Sequence, residues 1–121
     1  KILALNYQKQ KDCANATNAF NKYLEIKPKD NNMRIQLAIT LADCSNFKAA
    51  AEELKKVLAN DPSNSLARYQ LGDVYVRDAR YEEARQEFKK LVNDPKWGNN
   101  AKQMVKWVEQ KMSELGIEIP E

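Results

Sequence analysis

Apolar residues recur along this chain at three- and four-residue intervals, as in Leu37 and Leu41 and then Ala50, Leu54, Val57 and Leu58. That spacing paints one stripe along a helix and does not alternate as a half-buried strand would. Short polar breaks fall at Lys11-Asp12, Ser45-Asn46 and Ala79-Arg80. Longer breaks, Lys-Pro-Lys-Asp-Asn at 27–31 and Asn-Asp-Pro-Ser-Asn at 60–64, combine a helix-stopping proline with residues suited to cap the next helix. The pattern predicts pairs of antiparallel helices separated by these breaks.

The pairs repeat. Ala4, Ala38 and Gly72 are equally spaced; each follows a leucine (Leu3, Leu37, Leu71) and precedes by three a large residue (Tyr7, Leu41, Tyr75). Ala16, Ala50 and Ala84 keep the same step, followed by Phe20, Leu54 and Phe88 and then by Tyr23, Val57 and Leu91. Pro28 and Pro62 close the first two units, and Pro95 comes one residue early in the third. The six small residues let paired helices approach closely, and large side chains there would push the pairs apart.

Over residues 1–97 these units resemble the tetratricopeptide repeat in period and in the residue types at each slot, with departures at Arg34 and Arg68, where that family's pattern has an aromatic residue. Beyond them, Asn99 to Leu115 forms one more amphipathic helix with Met104, Val105, Val108, Met112 and Leu115 on one face and Gly116 as its stop. Counted from Pro95, Met104 and Val105 fall where Leu71 and Gly72 fall, which makes this the lone first helix of a fourth unit, covering the last apolar face. The expected fold is an all-α solenoid, one domain over 1–121 with units 1–30, 31–64 and 65–98 and a capping helix at 99–115. Because the chain opens at Lys1 inside an apolar run, without Met, it is expected to be a fragment of a larger protein.

Charge and composition narrow the function. Twenty Lys and Arg against 17 Asp and Glu give a net charge of +3, with the signs interleaved, as on a solvated helix face. No apolar run reaches the length of a membrane span. Histidine is absent, which removes Ser-His and Cys-His nucleophile pairs and imidazole metal ligands, and no Gly-rich phosphate loop is present. Glu52-Glu53 and Glu82-Glu83 are neighbours on helices and point in different directions. No enzyme activity, cofactor or metal is expected.

Two readings stand for Cys13 and Cys44. Cys13 opens the second helix of unit one and Cys44 ends the first helix of unit two, ends that stacking brings together, so a disulfide is geometrically reasonable. The other reading is two small apolar residues with no bond. The first implies a periplasmic or extracellular setting, the second a cytoplasmic one.

The family resemblance implies that the first helices line a concave groove holding an extended or helical segment of a partner protein. Carried onto this sequence, the groove takes Leu5 and Lys9 from unit one and Ile35, Gln36 and Ile39 from unit two. Unit three gives Tyr69, Gln70, Asp73 and Arg77, and the last helix Lys102 and Lys106. The chaperone-tail clamp of some members, basic residues plus two asparagines, is not matched: Lys1 fits its first basic slot, but Leu5 and Gln36 stand where asparagine is wanted and Leu66 and Gln70 where the second basic pair should be. Tyr69, Arg77, Lys102 and Lys106 are too few for a single-stranded nucleic acid to stack along, so no nucleic acid is expected. Trp97 is expected to act as a packing lid. Self-assembly through the open N-terminal end or Trp107, and a regulatory role beside a catalytic domain, are the competing functions.

Overall fold

The computed structural model describes residues 13–120. Among them are six helices and no strand: α1 (Cys13–Ile26), α2 (Asn31–Asp43), α3 (Phe47–Asn60), α4 (Ser65–Arg77), α5 (Tyr81–Lys89) and α6 (Gly98–Glu114). The chain is an all-α helical repeat. It divides into two compact units, one ending at Pro62 and one beginning at Ser63, a boundary that coincides with the proline break at 60–64. The first helix expected from Leu3 and Tyr7 lies outside the described residues.

In the first unit α2 packs against both α1 and α3. A helix gripped on two sides needs apolar residues around most of its circumference, and α2 buries Met33, Ile35, Leu37, Ala38, Leu41 and Ala42 together with Thr40. Thr40 satisfies its hydroxyl by donating to the Gln36 carbonyl at 3.0 Å. The outer helices bury narrower stripes, Ala16, Phe20 and Leu24 on α1 and Ala50, Ala51, Leu54 and Val57 on α3. The N-terminus of α2 is capped by Asp30, one carboxylate oxygen accepting from Met33 N at 3.0 Å and the other from the Tyr23 hydroxyl at 2.7 Å.

The second unit repeats this logic: Asn64, one repeat period after Asp30, caps α4 by accepting from Ala67 N at 3.0 Å. Here α5 packs between α4 and α6. The small residue at Gly72 has a visible purpose, since a Cβ built there would stand 2.7 Å from Phe88 Cζ. Gly98 is under similar constraint, its missing Cβ lying 2.8 Å from the Val92 carbonyl oxygen, and it lets α6 start against the preceding turn. The third repeat departs from the first two after Lys89, where α5 stops and residues 90–97 run through turns. Asp94 organises them: its carboxylate accepts from Lys96 N (2.9 Å), Trp97 N (2.8 Å) and, from the start of α4, Ser65 Oγ (2.5 Å).

The turns inside the repeats share one geometry. Ser45 and Ala79, at matching slots of successive repeats, have φ of 65° and 59° and end α2 and α4 in the left-handed conformation. In each case two bonds close the helix end: Asn46 N to Leu41 O (2.8 Å) with Ser45 N to Ala42 O (2.9 Å), and Arg80 N to Tyr75 O (2.7 Å) with Ala79 N to Val76 O (3.0 Å). Gly116, φ 73°, closes α6 in the same way.

Candidate functional site

The residues expected to line the groove meet different fates. Leu5 and Lys9 lie outside the described residues. In the first unit, Gln36 and Ile39 are half-buried on α2, while Ile35 is only 1% exposed. Ile35 is therefore a core residue and offers no surface: with α1 on one side and α3 on the other, α2 uses it for packing.

In the second unit, Tyr69, Gln70 and Asp73 are half-buried along α4, and Leu66 and Arg77 stand exposed at its two ends. Tyr69 is held firmly. Trp97 stacks on its ring at 4.8 Å between centroids, and Phe88 meets it edge-on at 5.2 Å. Trp97 thus covers Tyr69 as a lid, and Lys96 lies 5.6 Å from the centre of the Trp97 ring on the outside. Burial, with the nearby Asp73 charge, pushes the Tyr69 phenol above its ordinary range, which keeps it a neutral donor throughout the physiological range.

The sequence placed α6 one residue out of register. Its fully buried side chains are Ala101, Val108 and Met112, and the first two stand one strict repeat period from the buried Ala67 and Val74 of α4. Met104 and Val105 are only half-buried. The turns at 90–97 absorb the early proline, so the period is not shortened. In this register Lys102 and Lys106 fall at the slots of Arg68 and Gly72, which in α4 meet residues of α5. They belong to the side that would receive a second helix, and both are exposed there. The row shared with Tyr69 and Asp73 passes instead through Gln103 and Trp107, and Trp107 is 46% exposed. On the same helix Glu109, at the slot of Tyr75, accepts from the buried Arg85 of α5 (Nε–Oε2 2.7 Å), and Arg85 also reaches Glu82 at 3.1 Å.

Cys13 and Cys44 are joined as a disulfide, with their Cα atoms 6.1 Å apart, tying the start of α1 to the end of α2. Beside it opens a pocket of about 310 Å³, lined by both cysteines and by Ala14, Thr17, Asn18, Leu41 and Asn46. Among the described residues no helix is long and apolar enough to cross a membrane, and no group of three His, Cys, Asp or Glu could hold a metal ion.

Known proteins share this architecture. The fold is similar to that of the Sgt2 TPR domain from Aspergillus fumigatus, with a TM-score of 0.79 and 21% identity over 98% of this chain and 81% of that one. It is similar to MamA at a TM-score of 0.78 and 21% identity over 93% of this chain, which spans 61% of the MamA chain. The TPR2B domain of yeast Sti1, in its complex with pHsp70, gives 0.76 and 19% identity over 91% of this chain and 93% of that one. A search of curated protein sequences finds no match. The sequence pattern of the family described as Tetratricopeptide repeat matches residues 35–100, more than half of the chain, and the chain belongs to that family.

Proposed function

We propose that this chain is a non-catalytic adaptor that binds an extended or helical segment of a partner protein along its first-helix faces. The observation that carries the reading is the pair Gln36 and Gln70. They occupy one slot of successive repeats, and both remain half-exposed, Gln36 between the buried Ile35 and Leu37 and Gln70 between the half-buried Tyr69 and the buried Leu71. A side-chain amide can donate to and accept from the backbone of a bound segment. Ile39 in the first unit, and Leu66 and Trp107 in the second, supply exposed or half-exposed apolar surface for its side chains. The complex that Sti1 forms with pHsp70 supports a protein as the class of partner, while Gln36, Leu66 and Gln70 argue against a chaperone-tail carboxylate as the ligand.

The non-catalytic part of this reading rests on the family and on the absence of histidine. The interleaved charges, with a net value of only +3, argue against nucleic acid. The disulfide supports an oxidising setting such as a bacterial periplasm or the cell exterior.

The test is affinity capture with wild type and with an Ile39→Glu/Leu66→Glu variant, both checked for equal helicity; Tyr69 is spared because Phe88 and Trp97 pack on it. Loss of one captured protein in the folded variant supports the reading, and unchanged capture refutes it. A second reading, self-association, is favoured by the exposed Trp107, Leu115 and Ile117. Light scattering would report it as a mass that rises with concentration and falls back in Trp107→Glu.

A further inference from the structure

The Cys13–Cys44 disulfide stands at the surface of the first unit. Neither cysteine is buried, and the pocket beside them opens to solvent with both cysteines in its wall. Its lining is mostly apolar but includes three polar side chains: Thr17 and Asn18 come from α1, and Asn46, from the turn before α3, makes no side-chain capping bond there. A protein presenting a thiol on an extended segment would find amides and a hydroxyl for its backbone and a sulfur within reach. The bridge is also the covalent tie between two elements. Through it α1 is held to α2, while α1 itself contributes three buried side chains, Ala16, Phe20 and Leu24.

We propose that the Cys13–Cys44 disulfide is a thiol–disulfide exchange site, entered through this pocket by a dithiol reductant, and that its reduction releases α1 from α2. The chemistry balances without a further reactant. A thiolate of the dithiol attacks one cysteine sulfur, the Cys13–Cys44 bond breaks, and a mixed disulfide forms with the other cysteine leaving as thiolate. The second thiol of the reductant then displaces the first cysteine. Two electrons have passed to the protein, the reductant is left as a disulfide, and its two protons end on Cys13 and Cys44. Closure of the 31-residue separation restricts the unfolded chain, so opening it weakens the docking of α1 first.

The probe is dithiothreitol acting on the native chain, followed by alkylation and by hydrogen exchange. Reduction under native conditions is expected to expose both thiols and to speed exchange of the α1 amides by about tenfold or more, with α5 and α6 unchanged. The same loosening, now insensitive to dithiothreitol, is expected in Cys13→Ser/Cys44→Ser. An Ala14→Trp variant, which puts a large side chain at an exposed position of the pocket wall, is expected to slow reduction about tenfold while leaving the melting temperature alone. The proposal is overturned if the thiols react only once the whole chain unfolds, if α1 protection survives reduction, or if Ala14→Trp reduces as fast as wild type.

Discussion

Arg34 of α2 donates from Nη1 to Glu53 Oε1 of α3 at 2.8 Å, and one repeat later Arg68 and Glu87 make the same bond at the same distance between α4 and α5. These arginines fill the slot that the family's pattern gives to an aromatic residue, and the acid sits on the second helix of the same repeat. Lys56 and Lys90, each three residues past the acid, flank the pair in both copies. The side chains are 13–19% exposed, so each pair is largely out of water. Breaking one by Arg68→Ala leaves the Glu87 carboxylate without this partner and is expected to cost about 1–3 kcal/mol in urea unfolding. Replacing both, as Arg68→Trp with Glu87→Leu, is expected to recover most of that loss, because an apolar contact needs no charge compensation.

Gly72 and Phe88 form a second matched pair. Three ring atoms of Phe88 would lie within 2.9 Å of a Cβ at position 72, and the ring cannot retreat easily because it is fully buried against Tyr69. Gly72→Ala is therefore expected to destabilise the second unit by about 1–3 kcal/mol. The second repeat carries Ala38 and Leu54 at the same two slots, both fully buried. Gly72→Ala combined with Phe88→Leu should thus be milder than the single change, and a double-mutant cycle on chemical denaturation would measure the coupling.

The helix pairs and the repeat slots were legible in the sequence because they depend on period alone. Proline breaks, capping Asp30 and Asn64, and the helix stop at Gly116 all have local causes, and they fall where the residue types demand. What depends on tertiary surroundings was not legible. Ile35 looks the same in sequence whether it faces a ligand or a neighbouring helix, and only the sandwiching of α2 decides it. The register of α6 was obscured for a related reason: Met104, Val105, Trp107 and Val108 are apolar around much of the helix, so the stripe has no sharp edge. The role of Asp94 could not be read either, since its partner Ser65 lies far back in the chain, at the start of α4.

Ser45 and Ala79 hold a left-handed backbone that costs an L-residue about 1–2 kcal/mol. Glycine removes that cost but adds freedom to the unfolded chain, which takes back part of the gain. Ala79→Gly is expected to raise stability by about 0.5–1 kcal/mol, with the bond from Arg80 N to Tyr75 O retained. Gly116→Ala, at φ 73° with open space around the added Cβ, is expected to lose a similar amount. Equal shifts in the same direction at the two sites would mean that the backbone conformation is not what limits these turns.

Asp94 gives the second unit a dependence on acid. Chiefly the Ser65 hydroxyl, then the Trp97 amide, and after them, against an opposing effect of burial, the Lys96 amide and charge stabilise its charged form and hold its carboxyl below the usual range. A carboxyl lowered by folding contributes its stability in full above its ordinary value of about 3.9 and loses it as the pH falls through the lower folded value. Asp94→Asn keeps an acceptor for the two amides but has no charge to titrate. The variant is expected to melt below wild type at neutral pH, and the gap should shrink on acidification below about pH 4 and close once the wild-type carboxyl is protonated in the fold. Thermal melts of both proteins from pH 7 to pH 2 would show this convergence, and a gap that stays constant across the range would show that the charge of Asp94 does not hold the turn between α5 and α6.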